Sequence, residues 1–264
     1  MTAADLDRVD QLMMVAYQAP SRRDELALYL ETQPDGWFVL ADGEDIVAGG
    51  GAIAYGAFCW LGLIATDPAR HRQGLATTLS VHLIEWARQR GCTTIALDAS
   101  DAGRPVYERL GFQAVGVTRE LMMPALVPGG GQQDAVALTA DALDEILGLD
   151  APAFGGDRGA LLRALARAGV SCHGAYDGAR LAGYLFADGP GCVSDASAAR
   201  ALVRAASRDG RTRRILVPVE SSHLDLLLRL GLRERRSLTH MRLGELVLPG
   251  ERGRLIAQAS YAAG

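Results

Sequence analysis

Leu6, Val9, Leu12, Met13 and Ala16 recur at three- and four-residue spacing and predict a helix over Thr2 to Tyr17. Thr2 is placed to cap it, with Asp5 at the capping-box position. Pro20 breaks the pattern, and Ser21 reads as the N-cap of a second helix to about Thr32. The apolar positions then close up into strands. Trp37 to Ala41 and Ile46 to Tyr55 flank an Asp42-Gly43 turn, and Ala57 to Thr66 follows. Helical spacing returns over Gly74 to Arg90, with Leu75, Leu79, Val81, Leu83, Ile84 and Trp86 available for burial. Thr94 to Ala99 is a short buried strand, Pro105 to Leu110 a short helix ended by Gly111, and Phe112 to Met123 a strand.

Pro128-Gly-Gly-Gly-Gln-Gln133 supports neither period, since glycine and polar residues bury no face, and reads as a linker. The order then repeats. Helices are expected at Ala140 to Leu149 and Arg158 to Arg167, and a hairpin at Ser171 to Tyr176 and Leu181 to Ala187 around Asp177-Gly178. A helix at Ala196 to Ser207, a strand at Arg214 to Val219, a helix at Leu224 to Leu230 and a strand at Glu234 to Leu243 complete it. Ile95 to Ser100 and Ile215 to Glu220 lie 120 positions apart (215 minus 95), and so do Glu108-Arg-Leu-Gly-Phe112 and Leu228-Arg-Leu-Gly-Leu232. An ungapped offset across a strand and a helix points to internal duplication. The chain divides into domains at 1–125 and 135–264, joined by a linker at 126–134.

Composition narrows the function. Apolar residues make up 49% and charged residues 22% of the 264, the balance of a soluble globular protein. The formal net charge of -4 argues against a nucleic-acid binder. No apolar run approaches the ~20 residues of a membrane span and no secretory signal opens the chain, so a cytoplasmic protein is expected. Cys59, Cys92, Cys172 and Cys192 lack CxxC spacing and read as buried free thiols, and the five histidines form no metal motif. No metal is expected.

The chemistry concentrates between Leu63 and Phe112. Gly74 and Ala76 open a helix, where unpaired N–H groups and the helix dipole favour an anion and small side chains leave it room. Arg70, His71 and Arg72 add local positive charge. With Thr66-Asp67-Pro68 before the loop and Tyr107-Glu-Arg-Leu-Gly-Phe112 after it, the stretch resembles the GNAT superfamily of N-acetyltransferases. That family's pattern is Gln/Arg-x-x-Gly-x-Gly/Ala after Val-x-Pro, and here His71 and Thr66 replace Gln/Arg and Val. The resemblance covers roughly the first 125 residues.

The resemblance implies an α/β (α+β) chain of two tandem GNAT-like domains, each a mixed, mostly antiparallel sheet flanked by helices. It implies acetyl-CoA as co-substrate. Ile64, Ala65 and Thr66 would bind the pantetheine arm along a splayed strand, and His71, Arg72, Gln73, Gly74, Leu75 and Ala76 would cradle the pyrophosphate. Tyr107 would protonate the departing thiolate. The amine attacks directly, and no residue identifies itself as its base; Asp98, Ser100, Glu220 and Asp225 read better as caps or solvated charges. A small-molecule amine is the expected acceptor, and the oligomeric state is not readable. A non-catalytic acetyl-CoA sensor is the alternative. The Gly49-Gly-Gly51 run reads as a bulge or close strand packing, and Arg22 and Arg23 as solvated charges at a helix start. The second half resembles the degenerate half of bacterial tandem GNAT proteins: Leu227 aligns with Tyr107, and Asp195 falls in the phosphate loop near Val193-Ser194.

Overall fold

The computed structural model describes residues 1–127 and 135–264. The expected linker run at 128–133 lies outside the described residues. Contacts group the chain into two compact units. Unit 1 comprises Met1–Val115, Met241–Leu246 and Tyr261–Ala263, and unit 2 comprises Gly116–His240, Val247–Ser260 and Gly264. These bounds differ from a cut at 126–134, because each unit takes a strand segment from the other half of the chain.

Unit 1 opens with α1 (Leu6–Tyr17) and α2 (Arg23–Thr32). The Thr2–Asp5 capping box forms and caps a 3-10 turn, Ala3–Asp5, ahead of α1. Ser21 stands one residue before the N-cap Arg22: its hydroxyl donates to Asp10 Oδ2 at 2.7 Å and accepts from Arg23 N, the first residue of the helix, at 3.3 Å. Strands β1 (Trp37–Asp42), β2 (Asp45–Ala54), β3 (Phe58–Thr66) and β4 (Thr94–Ala99) lie side by side in that order. The first two junctions are antiparallel and β3–β4 is parallel, the crossover being α3 (Leu75–Gln89). Leu79, Leu83, Ile84 and Trp86 of α3 bury against Ala48, Cys59, Leu61 and Ile95, while Val81 faces outward. After α4 (Arg104–Arg109), Met241–Leu246 completes the unit: Glu245 N donates to Thr93 O and Thr94 Oγ1 to Glu245 O.

In unit 2, the inner end of β5 (Gln113–Met122) pairs with β10 (Arg214–Val217) from Val217↔Arg119 to Arg214↔Met122. A five-stranded sheet runs β12-β9-β8-β7-β6, from β6 (Ala135–Ala137), β7 (Cys172–Asp177), β8 (Arg180–Phe186), β9 (Gly191–Val193) and β12 (Leu255–Ala257). Helix α5 (Leu143–Phe154) runs five residues beyond its expected end at Leu149, and α6 (Gly159–Arg167) follows. The alanine-rich α7 (Ala196–Asp209) packs Ala198, Ala199, Leu202, Val203 and Ala206 into the core. Short α8 (Leu224–Arg229) and long β11 (Arg233–Gly244) close the repeat. Three short strands, β6, β9 and β12, escape the periodicity, because three residues cannot display a period. Arg158 is fully buried, with both sides of its fork on Asp150 at 2.7 and 2.8 Å and Nη1 on Gly264 O. All four cysteines are buried and free.

Candidate functional site

The site starts as a defect in the β2–β3 ladder. Gly49 faces Ala65 and Gly51 faces Gly62, so β3 carries one residue more than β2 between them. Leu63, at φ 53°, takes up that extra residue in the left-handed region, a β-bulge. Gly50 lies opposite it; a Cβ there would stand 2.9 Å from Ile64 Cγ1 and 3.0 Å from Ile64 Cα. The glycine run is therefore bulge and close packing together, as its place inside a strand suggests.

On its other edge β3 separates from β4. Parallel pairing covers only Phe58↔Thr94 to Trp60↔Ala96, although β3 runs to Thr66 and β4 to Ala99. The backbone of Leu61 to Thr66 on that side has no ladder partner in β4, leaving a cleft lined by peptide groups. Ile64 and Thr66 are half-buried along it and Ala65 is buried.

At the end of β3, Asp67 caps a 3-10 turn, Pro68–Arg70, by accepting from Ala69 N at 2.9 Å. Arg72 at φ 65° and Gly74 at φ 79° then swing the backbone into α3. Gly74 is the N-cap, and no side chain caps the helix. Nothing lies within 4 Å of where a Gly74 Cβ would stand. The first turn of α3 thus leaves its amide donors and dipole open to an anion. His71, Arg72 and Gln73 are exposed around it, and Leu75 and Ala76 half-buried. Arg70 is not part of that positive rim. It pairs with Asp42, and Asp67 and Asp45 add to the negative charge around it.

Tyr107 projects from α4, its ring edge-on to Phe112 at 5.7 Å. Among the described residues its hydroxyl makes no hydrogen bond, and burial pushes the phenol up to about 12. The phenol therefore stays protonated and neutral across the physiological range. Ser100, weighed as a base, instead accepts from Gly103 N at 3.2 Å as a turn cap. Asp98 is half-buried on β4. Glu220 faces Arg252 in unit 2 at 3.6 Å, and Asp225 is exposed on α8.

Sequence reasoning missed Tyr17 and the role of Arg22. Tyr17 ends α1, and its phenol is raised by burial first and then by the Tyr107 phenol, with Arg22 and Glu25 also in electrostatic reach. Arg22 is not merely solvated: Nη1 donates to Glu25 Oε2 at 2.8 Å, and the guanidinium lies 5.8 Å from the Tyr17 ring centre. Arg23 does lie on the surface, paired with Asp7.

The matching place in unit 2 is filled. Asp195 caps α7, its carboxylate accepting from Ser197 N at 2.7 Å and Ala198 N at 2.9 Å, so these helix-start amides are already satisfied. Arg254 reaches Ser194 Oγ and Val193 O. Strand β12 pairs with β9 (Leu255↔Cys192, Ala257↔Gly191), and the next residue, Gln258, bridges to Leu216 of β10. A strand thus occupies the gap that stays open between β3 and β4. Leu227, at the Tyr107 position, is fully buried. No described helix is long and apolar enough to cross a membrane. Among the described residues, no three His, Cys, Asp or Glu side chains gather to hold a metal.

Residues 6–112 match the model of the acetyltransferase (GNAT) family. The chain is 30% identical over 130 residues to the uncharacterized N-acetyltransferase YitH of Bacillus subtilis, covering 48% of this chain and 45% of that protein. The match therefore spans under half of that relative's length. A crystal structure from Pyrococcus horikoshii, assigned as an acetyltransferase, superposes with a TM-score of 0.86 at 24% identity, covering 100% of this chain and 94% of that one. A tandem GNAT protein from the clavulanic acid biosynthesis pathway superposes with a TM-score of 0.64 at 15% identity, over 92% of this chain and 97% of its own.

Proposed function

We propose that the chain is a tandem GNAT protein, residues 6–112 of which match the acetyltransferase (GNAT) family model, and that it transfers acetyl from acetyl-CoA directly to the amine of a small molecule. The observation that supports this most is the β3–β4 cleft ending in an uncapped, glycine-opened helix start. The amides at 71–76 receive the pyrophosphate, and the edge of Ile64, Ala65 and Thr66 receives the pantetheine amides. Backbone N–H groups at the bulge polarise the thioester carbonyl, donors fixed where negative charge develops. The neutral amine nitrogen attacks the carbonyl carbon, and the tetrahedral intermediate collapses by breaking the C–S bond. Tyr107 hands its proton to the leaving thiolate, the amine's surplus proton leaves to solvent through a base or water chain, and Tyr107 is reprotonated from solvent.

Replacing Gly74 by Asp tests the loop. The carboxylate brings like charge to the pyrophosphate, and the left-handed backbone disfavours any Cβ. Calorimetry should find acetyl-CoA binding abolished in G74D, with a thermal midpoint within a few degrees of the parent. Unchanged affinity removes the pyrophosphate from this loop.

A further inference from the structure

The turn between α1 and α2 gathers polar groups that the cofactor chemistry leaves unused. Asp10, buried on α1, shapes the turn by accepting from Ser21 Oγ at 2.7 Å and from Arg22 N at 2.6 Å. Glu25 is engaged on both oxygens, by Arg22 Nη1 at 2.8 Å and by the Tyr29 hydroxyl at 3.0 Å. It is a bracket for Arg22 rather than an open carboxylate. The Arg22 guanidinium lies 5.8 Å from the ring centre of Tyr17, and 28% of its side chain remains exposed. Its Nε is shut off from water and makes no hydrogen bond. Tyr17 in turn lies within electrostatic reach of the Tyr107 phenol.

An arginine held by one Nη keeps the Nε–Nη2 edge of its fork, two parallel N–H donors that match a planar carboxylate. A buried donor left without a partner is a standing cost, which such a ligand removes. We propose that Arg22 binds a carboxylate carried by the acceptor, so that the acceptor class is amino-acid-like: an amine with a carboxylate a few bonds away. This rests on the acetyl-transfer reading above. Glu25 and Tyr29 position Arg22, and Tyr17 forms the wall between the carboxylate and the reacting end.

The test uses the full chain with saturating acetyl-CoA and acceptors paired to differ in one group: phenylalanine against phenethylamine, and phosphoethanolamine against ethanolamine. The carboxylate-bearing member should show a KM lower by about tenfold or more, the worth of one charge-assisted hydrogen-bond pair. R22Q should erase that preference without moving the acetyl-CoA Kd, and R22K, which keeps the charge but not the fork, should restore only part of it. Equal KM values within the first pair overturn the proposal, as does an R22Q effect equal on both members, which marks a structural ion pair. A preference confined to the phosphate pair also overturns it, in favour of a phosphorylated amine. If no amine is acetylated, calorimetry of phenylalanine into the CoA-loaded chain separates the two readings. Binding lost in R22Q keeps the carboxylate site while acetyl transfer fails, and no binding in the parent overturns the site itself.

Discussion

Tyr107 shows how one side chain's environment sets its protonation. Half-buried against Phe112, its phenol rises to about 12 because burial disfavours the phenolate. Such a group stays protonated while a thiolate leaves. Tyr107→Phe should lower kcat by about 10²–10⁴-fold, the usual worth of general acid catalysis, with acetyl-CoA affinity held. Parent-like turnover would make Tyr107 a packing residue. In the parent, kcat should not fall between pH 7 and 10 through loss of this proton; a descending limb there in the parent, absent in the variant, contradicts the raised phenol. The sign for stability is the same. The folded state holds the proton longer than the unfolded chain, so this contribution is intact below about pH 10 and disappears as pH rises through about 12. Tyr107 was legible because it sits in a short pattern with Leu110, Gly111 and Phe112. Arg22 was not: on the chain it is one of two adjacent arginines, and only the turn held by Asp10 separates its fate from that of Arg23.

At the scale of elements, the cleft depends on β3 being one residue too long for its neighbour. The bulge at Leu63 bends the strand, and Gly50 is the residue that lets β2 pass beside it. Gly50→Ala would press a methyl group to 2.9–3.0 Å from Ile64. Overpacking of this kind costs about 1–3 kcal/mol, so the denaturation midpoint should fall and acetyl-CoA affinity should weaken with it. A stable variant with parent affinity would show that the bulge does not shape the cofactor edge. The long elements were readable, since α3 and β2 show their periods over ten residues or more. Register was not. The Gly49-Gly-Gly51 run announces an irregularity, but only pairing across two strands shows which strand carries the extra residue.

At the scale of the molecule, we propose that duplication leaves a single cofactor site. Unit 1 keeps its cleft open between β3 and β4, while in unit 2 β12 lies beside β9 and Gln258 bridges to β10. Asp195 also takes the helix-start amides for itself and places a carboxylate beside them. Like charge at a few Å costs on the order of 1–4 kcal/mol. Titration to saturation, or native mass spectrometry, should find one acetyl-CoA per chain. Two equivalent sites would mean that β12 and Asp195 move aside.

By itself the sequence determined what is local: the amphipathic helices, the repeat at 120 positions, the glycine-opened loop at 71–76, and the Tyr107 segment. Each follows from spacing along a few turns or one strand, where period and residue size suffice. Tertiary structure decided what depends on partners far along the chain. It gave Met241–Leu246 to unit 1 and the inner part of β5 to unit 2. It paired Arg70 with Asp42 rather than leaving it to the loop. It set β12, three residues with no readable period, in the gap of the second unit. A strand edge or a charged side chain bonds to whatever the fold brings within about 3 Å, and neighbours along the sequence do not specify that partner.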